Sequence, residues 1–435
     1  MPSLNSAFIK IYIYGRKYSS RSGILRSSFS SVPTLRHLDV RGKRIFLRID
    51  VNVPVDPETM NIVDDRRIRI HSSTVKQLID ADAALAIASH QGRPGEAGFT
   101  TMEKHAELLS KYAGVEVKFI DDVCGPTARK AIESLKPGEA LMLNNLRLAS
   151  EEVIEATPEK QASTYLVQRL APLFEAYVND AFATAHRSQP SIVGFPLVLP
   201  SAAGPVMEKE LLQLDDLMSE GRTPRVFVFG GARVYDLVKV IENLVAKGMA
   251  DRILTTGLLA NLVLLAKGVN IGLENLKYLE ERGVLTLIPR IRHLLMKGAP
   301  IETPIDFKVL SNGEVREEVL GRISGKIMDV GPSTIDMYRE FMKEAKAIVM
   351  KGPAGVIEDS RFRDGTVKLI NEALLTRACI TIAGGHLSQF VNEEEAAAGK
   401  VHVTTGANAF LLALSGEALP GVEILKLSAR MFLGW

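Results

Sequence analysis

Short apolar runs that end in polar turns recur along this chain, and stretches with hydrophobic residues at helical spacing lie between them. The first run, Arg44 to Ile49, sets branched and aromatic side chains between basic ones, and Pro54 ends its pairing as a strand. Ala83–Ala88, Ala140–Leu143 and Phe174–Val178 repeat the pattern, and amphipathic spacing predicts helices over 67–80, 102–112, 127–135 and 158–171. A second series opens with Arg225–Phe229. It continues with strands expected at 252–256, 284–288, 326–330, 347–350, 379–383 and 401–405, and with helices at 236–247, 333–344 and 407–414 and one ending at Leu265. Strands alternating with helices predict parallel sheets covered on both faces. A chain of 435 residues is too long for one core, so two α/β domains of roughly 200 residues each are expected. Between the series, the small-residue break Pro200–Pro205 leads into a charged amphipathic helix at 206–219, which reads as a linker and hinge.

The polar turns carry the candidate chemistry. Asp50-Val51-Asn52 should sit just past the first strand, where ligands bind in open α/β sheets. The later turns are Ser89-His90-Gln91-Gly92-Arg93-Pro94, Asn144-Asn145-Leu146-Arg147 and the segment Asn179 to Arg187. If the strands are parallel neighbours, Arg67, His90, Arg93, Arg147, His186 and Arg187 converge on one rim. Guanidinium forks grip phosphate and carboxylate bidentately, so that rim suits a small, multiply charged anion. Any one of these arginines would be solvated or locally paired as readily, but the arrangement recurs. Strands of the second series run into glycine turns at 230–231, 352–355, 384–385 and 406, which offer backbone N–H groups to phosphates or else serve close packing. Neither a Walker A pattern nor Gly-x-Gly-x-x-Gly is present, which argues against a P-loop ATPase and a dinucleotide dehydrogenase.

Composition narrows the classes further. A formal net charge of +2 gives no support for a nucleic-acid coat. Cys124 and Cys379 lie in different halves and make no disulfide framework or metal knuckle. The most apolar stretch, 253–269, contains Thr255, Thr256, Asn261 and Lys267 and is too short and too polar to span a bilayer. Residues 1–38 are basic and serine-rich, with no acidic residue, and resemble an organellar transit peptide. We favour a disordered extension or a start assigned too far upstream, and leave them out of the expected fold.

RIDVNVP, DDRRIR, SHQGRP, NNLR and NDAFATAHR resemble, in order, the amino-terminal motifs of phosphoglycerate kinase. FGGARVYD, VIENL, MDVGPSTID, KGPAGVIE and GEALPGVE are similar to that family's carboxy-terminal half, with an archaeal cast. The resemblance runs from Arg41 to Val422 and implies two doubly wound parallel-sheet, Rossmann-like α/β domains joined by a hinge helix. The expected divisions are 39–200, 201–220 for the hinge, 221–416, and a tail at 417–435 that returns to the first domain with Trp435 packed. The implied activity is ATP-dependent phosphoryl transfer to the carboxylate of 3-phosphoglycerate, reversibly giving 1,3-bisphosphoglycerate and ADP, in glycolysis and gluconeogenesis. Magnesium would travel with the nucleotide, and no protein metal ligand is assigned. A cytoplasmic monomer is expected, without nucleic-acid or membrane partners.

By the same resemblance, the acceptor site comprises Asp50, Val51, Asn52, Arg67, His90, Gln91, Gly92, Arg93, Arg147 and Arg187. The nucleotide site comprises Arg233, Glu358, Gly384, Gly385, His386 and Leu387. Arg67 and Arg233 are the expected catalytic cations, and Asp236 matches an acid near the metal. The chain departs from the family in the second half. Arg233 replaces the usual lysine, and Leu237 stands where many members carry a second one. Lys351 occupies a common asparagine position and would restore that cation. His386 replaces an aspartate, and Gly406-Ala407-Asn408 a triple glycine. These changes leave two alternatives: a binding paralogue with a decayed nucleotide site, or a kinase for another phosphorylated carboxylic acid.

Overall fold

A computed structural model describes residues 29–435. The expectations for residues 1–28 lie outside the described residues. The first lobe is built on a six-stranded sheet of β1 (Arg44–Arg48), β2 (Ala84–Ala88), β3 (Val117–Ile120), β4 (Ala140–Leu143), β5 (Ala176–Asn179) and β6 (Ser201–Ala203), in the order β3-β4-β2-β1-β5-β6. Its pairings are parallel. Ile45, Phe46 and Leu47 are all 0% exposed, so β1 is covered on both faces, and this is why its apolar run does not alternate.

The second lobe repeats the scheme with β7 (Arg225–Phe229), β8 (Arg252–Thr255), β9 (Ile301–Glu302), β13 (Ala347–Lys351), β14 (Cys379–Ala383) and β15 (Val401–Thr404), in the order β15-β14-β13-β7-β8-β9. The missing numbers belong to an antiparallel sheet of β10 (Asp306–Ser311), β11 (Glu314–Val319) and β12 (Lys326–Val330). Both parallel sheets are doubly wound. The chain reverses its direction of travel between β1 and β5 in one and between β7 and β13 in the other, and such switch points open a crevice at the carboxyl ends of the strands.

Several local expectations need correction. Residues 284–288 are not a strand but a 3-10 turn, Val284–Leu287, followed by helix Ile288–Met296. The buried positions Val284, Leu287, Ile291 and Leu294 recur at three and four residues, a helical period hidden inside an apolar run. The helix expected over 158–171 is two, Pro158–Ala162 and Tyr165–Leu170, because Thr164 adopts an extended conformation between them. The break at Pro200–Pro205 is not a loop throughout, since it contains β6. Residues 29–38 are not a loose extension. Phe29 and Val32 are buried, Thr34 bridges Ala203 alongside β6, and the Phe29 amide donates to Asp215 Oδ1 at 3.0 Å on helix Pro205–Met218.

The last α-helix, Pro420–Ser428, packs on the first lobe, with Ile424 against Ile192 and Val193 and the Gly421 amide donating to the Ala185 carbonyl at 2.8 Å. Trp435 remains 46% exposed and meets only the edge of the His37 ring among the aromatic contacts of the described residues.

A buried carboxylate joins the helix that carries Arg67, Arg66–Asp80, to the interlobe helix Pro205–Met218. Asp180, 0% exposed, accepts from His71 Nδ1 (3.1 Å), Thr74 Oγ1 (2.6 Å) and the Val206 and Met207 amides (2.8 and 3.0 Å). The last two are helix-start donors with no partner inside their own helix. Replacing Asp180 with Ala leaves four buried donors unmet and should lower the unfolding free energy by about 3 kcal/mol or more, measured by urea denaturation. A loss below about 1 kcal/mol would mean that packing alone holds the two helices.

Candidate active site

The carboxyl ends of β1, β2, β4 and β5 are adjacent in the sheet, and the polar turns that follow them meet in one hollow. Asp50 is 4% exposed and accepts from Arg67 Nη1 at 2.7 Å and, through Oδ1, from the Asn52 amide at 3.1 Å. Burial works to raise its pKa, but the Arg67 and Arg48 guanidinium groups override that and hold the carboxyl well below the usual carboxylate range. His90, 3% exposed, receives an Arg48 guanidinium hydrogen bond on Nδ1 at 3.1 Å. A guanidinium only donates, so Nδ1 is the bare acceptor and the ring proton sits on Nε2. Burial, reinforced by Arg48, Arg147 and Arg187, pushes the His90 pKa well down, so the ring is neutral at pH 7.

Arg147 is brought down to about 10 by burial, with Arg187, Arg48 and Arg93 adding to the effect. Arg187 is lowered by burial as well, and Arg93 and Arg48 act in the same direction. His186 completes the group, with a buried Nδ1 that has no partner and a pKa depressed by burial and by Arg187. The hollow therefore gathers Arg67, His90, Arg93, Arg147, His186 and Arg187 around a few carboxylates. Mutual repulsion among part-buried cations is relieved when an anion enters.

Other expected members contribute backbone rather than side chain. Val51 is buried in the core, and its amide donates to Ser89 Oγ at 3.2 Å. Gln91 is turned inward, its amide N–H groups on the Val53 and Gly98 carbonyls and its oxygen accepting from the Val53 amide and His105. Gly92 donates to Asn52 Oδ1 at 3.0 Å, and its carbonyl accepts from Arg147. Its φ of +63° and the Gly98 carbonyl 2.4 Å from where a Cβ would lie exclude any side chain.

Arg48 is the residue that sequence reasoning missed. It is fully buried, donates through Nε to Ser191 Oγ at 2.9 Å and also bonds the Ile49 carbonyl. Ser191 in turn bonds Glu152 through its hydroxyl and its amide. The available signal was a charged residue closing a strand whose three middle residues are apolar on both faces. Glu152 and Ser191 gave no local signal.

Across from the hollow, the carboxyl ends of the second sheet frame a cleft of about 710 Å³. Arg233, Glu358, Gly384, Gly385, His386 and Leu387 all line it, as do Lys351, Asn261, Tyr278, Arg282 and Asn408. The glycine turns divide in use. The Gly230 and Gly231 amides are spent on the Lys351 and Pro353 carbonyls, both at 2.8 Å, and a Cβ on Gly352 would lie 2.1 Å from the Gly230 carbonyl oxygen. That pair is close packing rather than a phosphate cradle. Gly384 (φ +111°) and Gly385 instead face open space, with nothing within 4 Å of a built Cβ.

Lys351 Nζ, part buried, donates to Asn408 Oδ1 at 2.7 Å. Burial pushes its pKa down to about 8, opposed by Asp236 and assisted by Arg233. Leu237 is 1% exposed and apolar, so Lys351 and Arg233 are the cations that line this part of the cleft.

The two lobes touch through Arg67. While Nη1 holds Asp50, Nη2 donates to the Thr405 carbonyl at 2.9 Å, at the end of β15 and just before helix Ala407–Leu414, which carries Asn408. Glu210, 1% exposed on helix Pro205–Met218, accepts from the Thr405 amide (2.6 Å) and hydroxyl (2.7 Å) and from His402 Nε2 (2.8 Å). The lobes also meet at backbone range, where a Cβ on Gly406 would lie 2.5 Å from Ala183 Cα.

Comparison with known proteins agrees with this arrangement. The family model described as phosphoglycerate kinase matches residues 35–417. A phosphoglycerate kinase of Saccharolobus solfataricus is 50% identical over 399 residues, covering 92% of this chain and 98% of that protein. One from Aeropyrum pernix is 45% identical over 402 residues, covering 92% and 97%. Among solved structures, phosphoglycerate kinase from Pyrococcus horikoshii OT3 superposes with a TM-score of 0.84 at 36% identity, covering 92% of this chain and all of that one. With two doubly wound lobes, a cluster of basic side chains on one and a glycine-lined cleft on the other, and kinship along nearly its whole length, this chain belongs to the phosphoglycerate kinase family.

Proposed function

We propose that the chain transfers the γ-phosphoryl group of ATP to the carboxylate of 3-phosphoglycerate, reversibly, and that the basic hollow and the glycine-lined cleft divide the work. A carboxylate oxygen of the acceptor attacks phosphorus, the bond to the β,γ-bridging oxygen breaks, and ADP leaves with that electron pair. No proton moves, because the acceptor is already ionised at neutral pH. The protein's task is to align the two oxygens and to neutralise the charge on the group in flight while excluding water. The observation that supports the reading is the Arg67 guanidinium, which bonds Asp50 in the basic hollow and reaches across to the Thr405 carbonyl of the other lobe, two residues before Ala407 at the rim of the cleft.

In this reading Arg147, Arg187 and Arg93 hold the remote phosphate of the acceptor. His90 donates through Nε2, and Asp50 with Asn52 takes the hydroxyl. On the nucleotide side Arg233 and Lys351 face the phosphates, the open Gly384-Gly385 turn admits them to its backbone, and Glu358 takes the ribose. Magnesium would be carried by phosphate oxygens and water, with Asp236, which faces Lys351, the nearby carboxylate. Bound there, magnesium would neutralise phosphate charge. Among the described residues no helix is long and apolar enough to cross a membrane.

The test is ADP formation from MgATP on addition of 3-phosphoglycerate. Binding of both ligands without turnover would instead identify a paralogue that has lost transfer. Within the active enzyme, Arg187→Ala should raise the KM for 3-phosphoglycerate by roughly 10- to 100-fold, as expected for loss of a charge-assisted bond to phosphate, and leave ATP affinity unchanged. Isothermal titration with each ligand separately checks both halves of that expectation.

A further inference from the structure

Asn408 is the polar exception in helix Ala407–Leu414, ANAFLLAL, where Ala409, Phe410, Leu411, Ala413 and Leu414 are buried. Asparagine near a helix start ordinarily serves the backbone there. Asn408 instead reaches past β14 to the last residue of β13, its Oδ1 accepting from Lys351 Nζ at 2.7 Å. An ammonium only donates, so this bond decides which end of the amide faces Lys351 and takes up one of three Nζ hydrogens. Two remain for the cleft, which both residues line. Lysine is a point charge on a flexible four-carbon stem, and an untethered ammonium would sample many positions.

The same short segment meets the first lobe. Thr405, three residues ahead of Asn408, gives its carbonyl to Arg67 Nη2 at 2.9 Å and is held by Glu210 through its amide and hydroxyl. Gly406 abuts the Ala183 backbone. One anchored stretch of chain thus touches two cations that come from different lobes. Resting on the reading of Lys351 as a phosphate ligand, we infer that Asn408 is a positioning residue for the transfer, holding the Lys351 ammonium at the phosphate end of the cleft and in register with Arg67 before the nucleotide arrives. It acts through Lys351 and needs no contact of its own with either substrate. Preorganisation of this kind sets where positive charge stands when the phosphoryl group moves.

The experiment is a double-mutant cycle of Asn408→Ala and Lys351→Met, read as kcat/KM for MgATP at saturating 3-phosphoglycerate. Asn408→Ala alone should lower that value about tenfold, as misplacement of a working cation does, with the affinity for 3-phosphoglycerate and the thermal midpoint unchanged. Asn408→Leu, which keeps the bulk and lacks the acceptor, should lose as much. In the Lys351→Met background neither substitution should cost anything further, because its route to the reaction has gone. Equal losses in both backgrounds would overturn the inference, as would wild-type activity in Asn408→Ala or in Asn408→Leu. Any of these results, with Lys351→Met itself impaired, removes the role of Asn408 alone. An unimpaired Lys351→Met removes it together with the reading of Lys351 on which it rests. If the wild-type protein shows no turnover, titration with MgATP reads the same cycle as Kd, with the same pattern expected, and absence of MgATP binding removes both.

Discussion

Arg67→Ala should lower kcat by roughly a thousandfold and leave the dissociation constant for ATP within about threefold of wild type, the pattern expected for a cation used mainly in the transition state. The asymmetry follows from the contacts of the guanidinium. Its partners here are Asp50, the Asn52 carbonyl and the Thr405 carbonyl, so it lies at the junction of the lobes rather than within the nucleotide cleft. Single-turnover measurements with saturating ligands isolate the chemical step. Arg67→Lys should recover little of the loss, because one ammonium cannot hold Asp50 and reach the opposite lobe with a planar fork. Equal weakening of ATP binding by Arg67→Ala and Arg187→Ala would contradict the division between transfer and grip.

Lys351→Met should reduce kcat/KM for ATP by about 100-fold, comparable to removal of one preorganised donor to a transferring group. The sign of its pH dependence is fixed by the amine. With burial setting its pKa near 8 in the free protein, Lys351 is cationic below that value and neutral above it, so kcat/KM for ATP should fall as pH rises through about 8. Bound phosphate favours the charged form, so kcat at saturation should hold to higher pH than kcat/KM. Lys351→Arg keeps its charge throughout and should flatten the alkaline limb, whereas Lys351→Met should lack that limb at a lower level of activity. Superimposable pH profiles for wild type and Lys351→Met would exclude Lys351 from nucleotide binding. The groups that face Lys351, Asp236 and Arg233, carry opposite charges and act on this titration in opposite directions, Asp236 raising it and Arg233 lowering it.

Much of the scaffold could be read before any coordinates. Arg225–Phe229 and Cys379–Ala383 are strands at the expected bounds, and Ala407–Leu414 is the expected helix, because a covered parallel sheet demands uninterrupted apolar runs and glycine marks where they stop. The misses have physical causes. Residues 284–288 are an apolar run whose helical period shows only when Ile291 and Leu294 are included. The β10–β11 hairpin was signalled by Asn312-Gly313, whose φ angles of +54° and +82° make the tight turn, and by Phe307 and Val309 alternating in β10, but β11, EVREEV, is mostly charged and largely exposed. In the candidate site, Arg48 was obscured because it looked like an ordinary basic residue within a strand. Burial distinguishes it, and burial of a particular side chain is a property of the packed chain rather than of its local pattern.

Strand β6 is three residues long and forms the outer border of the first sheet, where unpaired backbone groups would otherwise face solvent. Thr34 lies against Ala203 there, and the Ala203 amide donates to the Pro33 carbonyl at 2.7 Å, so residues 32–34 close that border from outside. An open sheet border is a template for a neighbouring molecule's backbone. The segment ahead of β1 therefore covers that border, and trimming it away would bare backbone groups of β6 on a lobe whose catalytic groups were untouched.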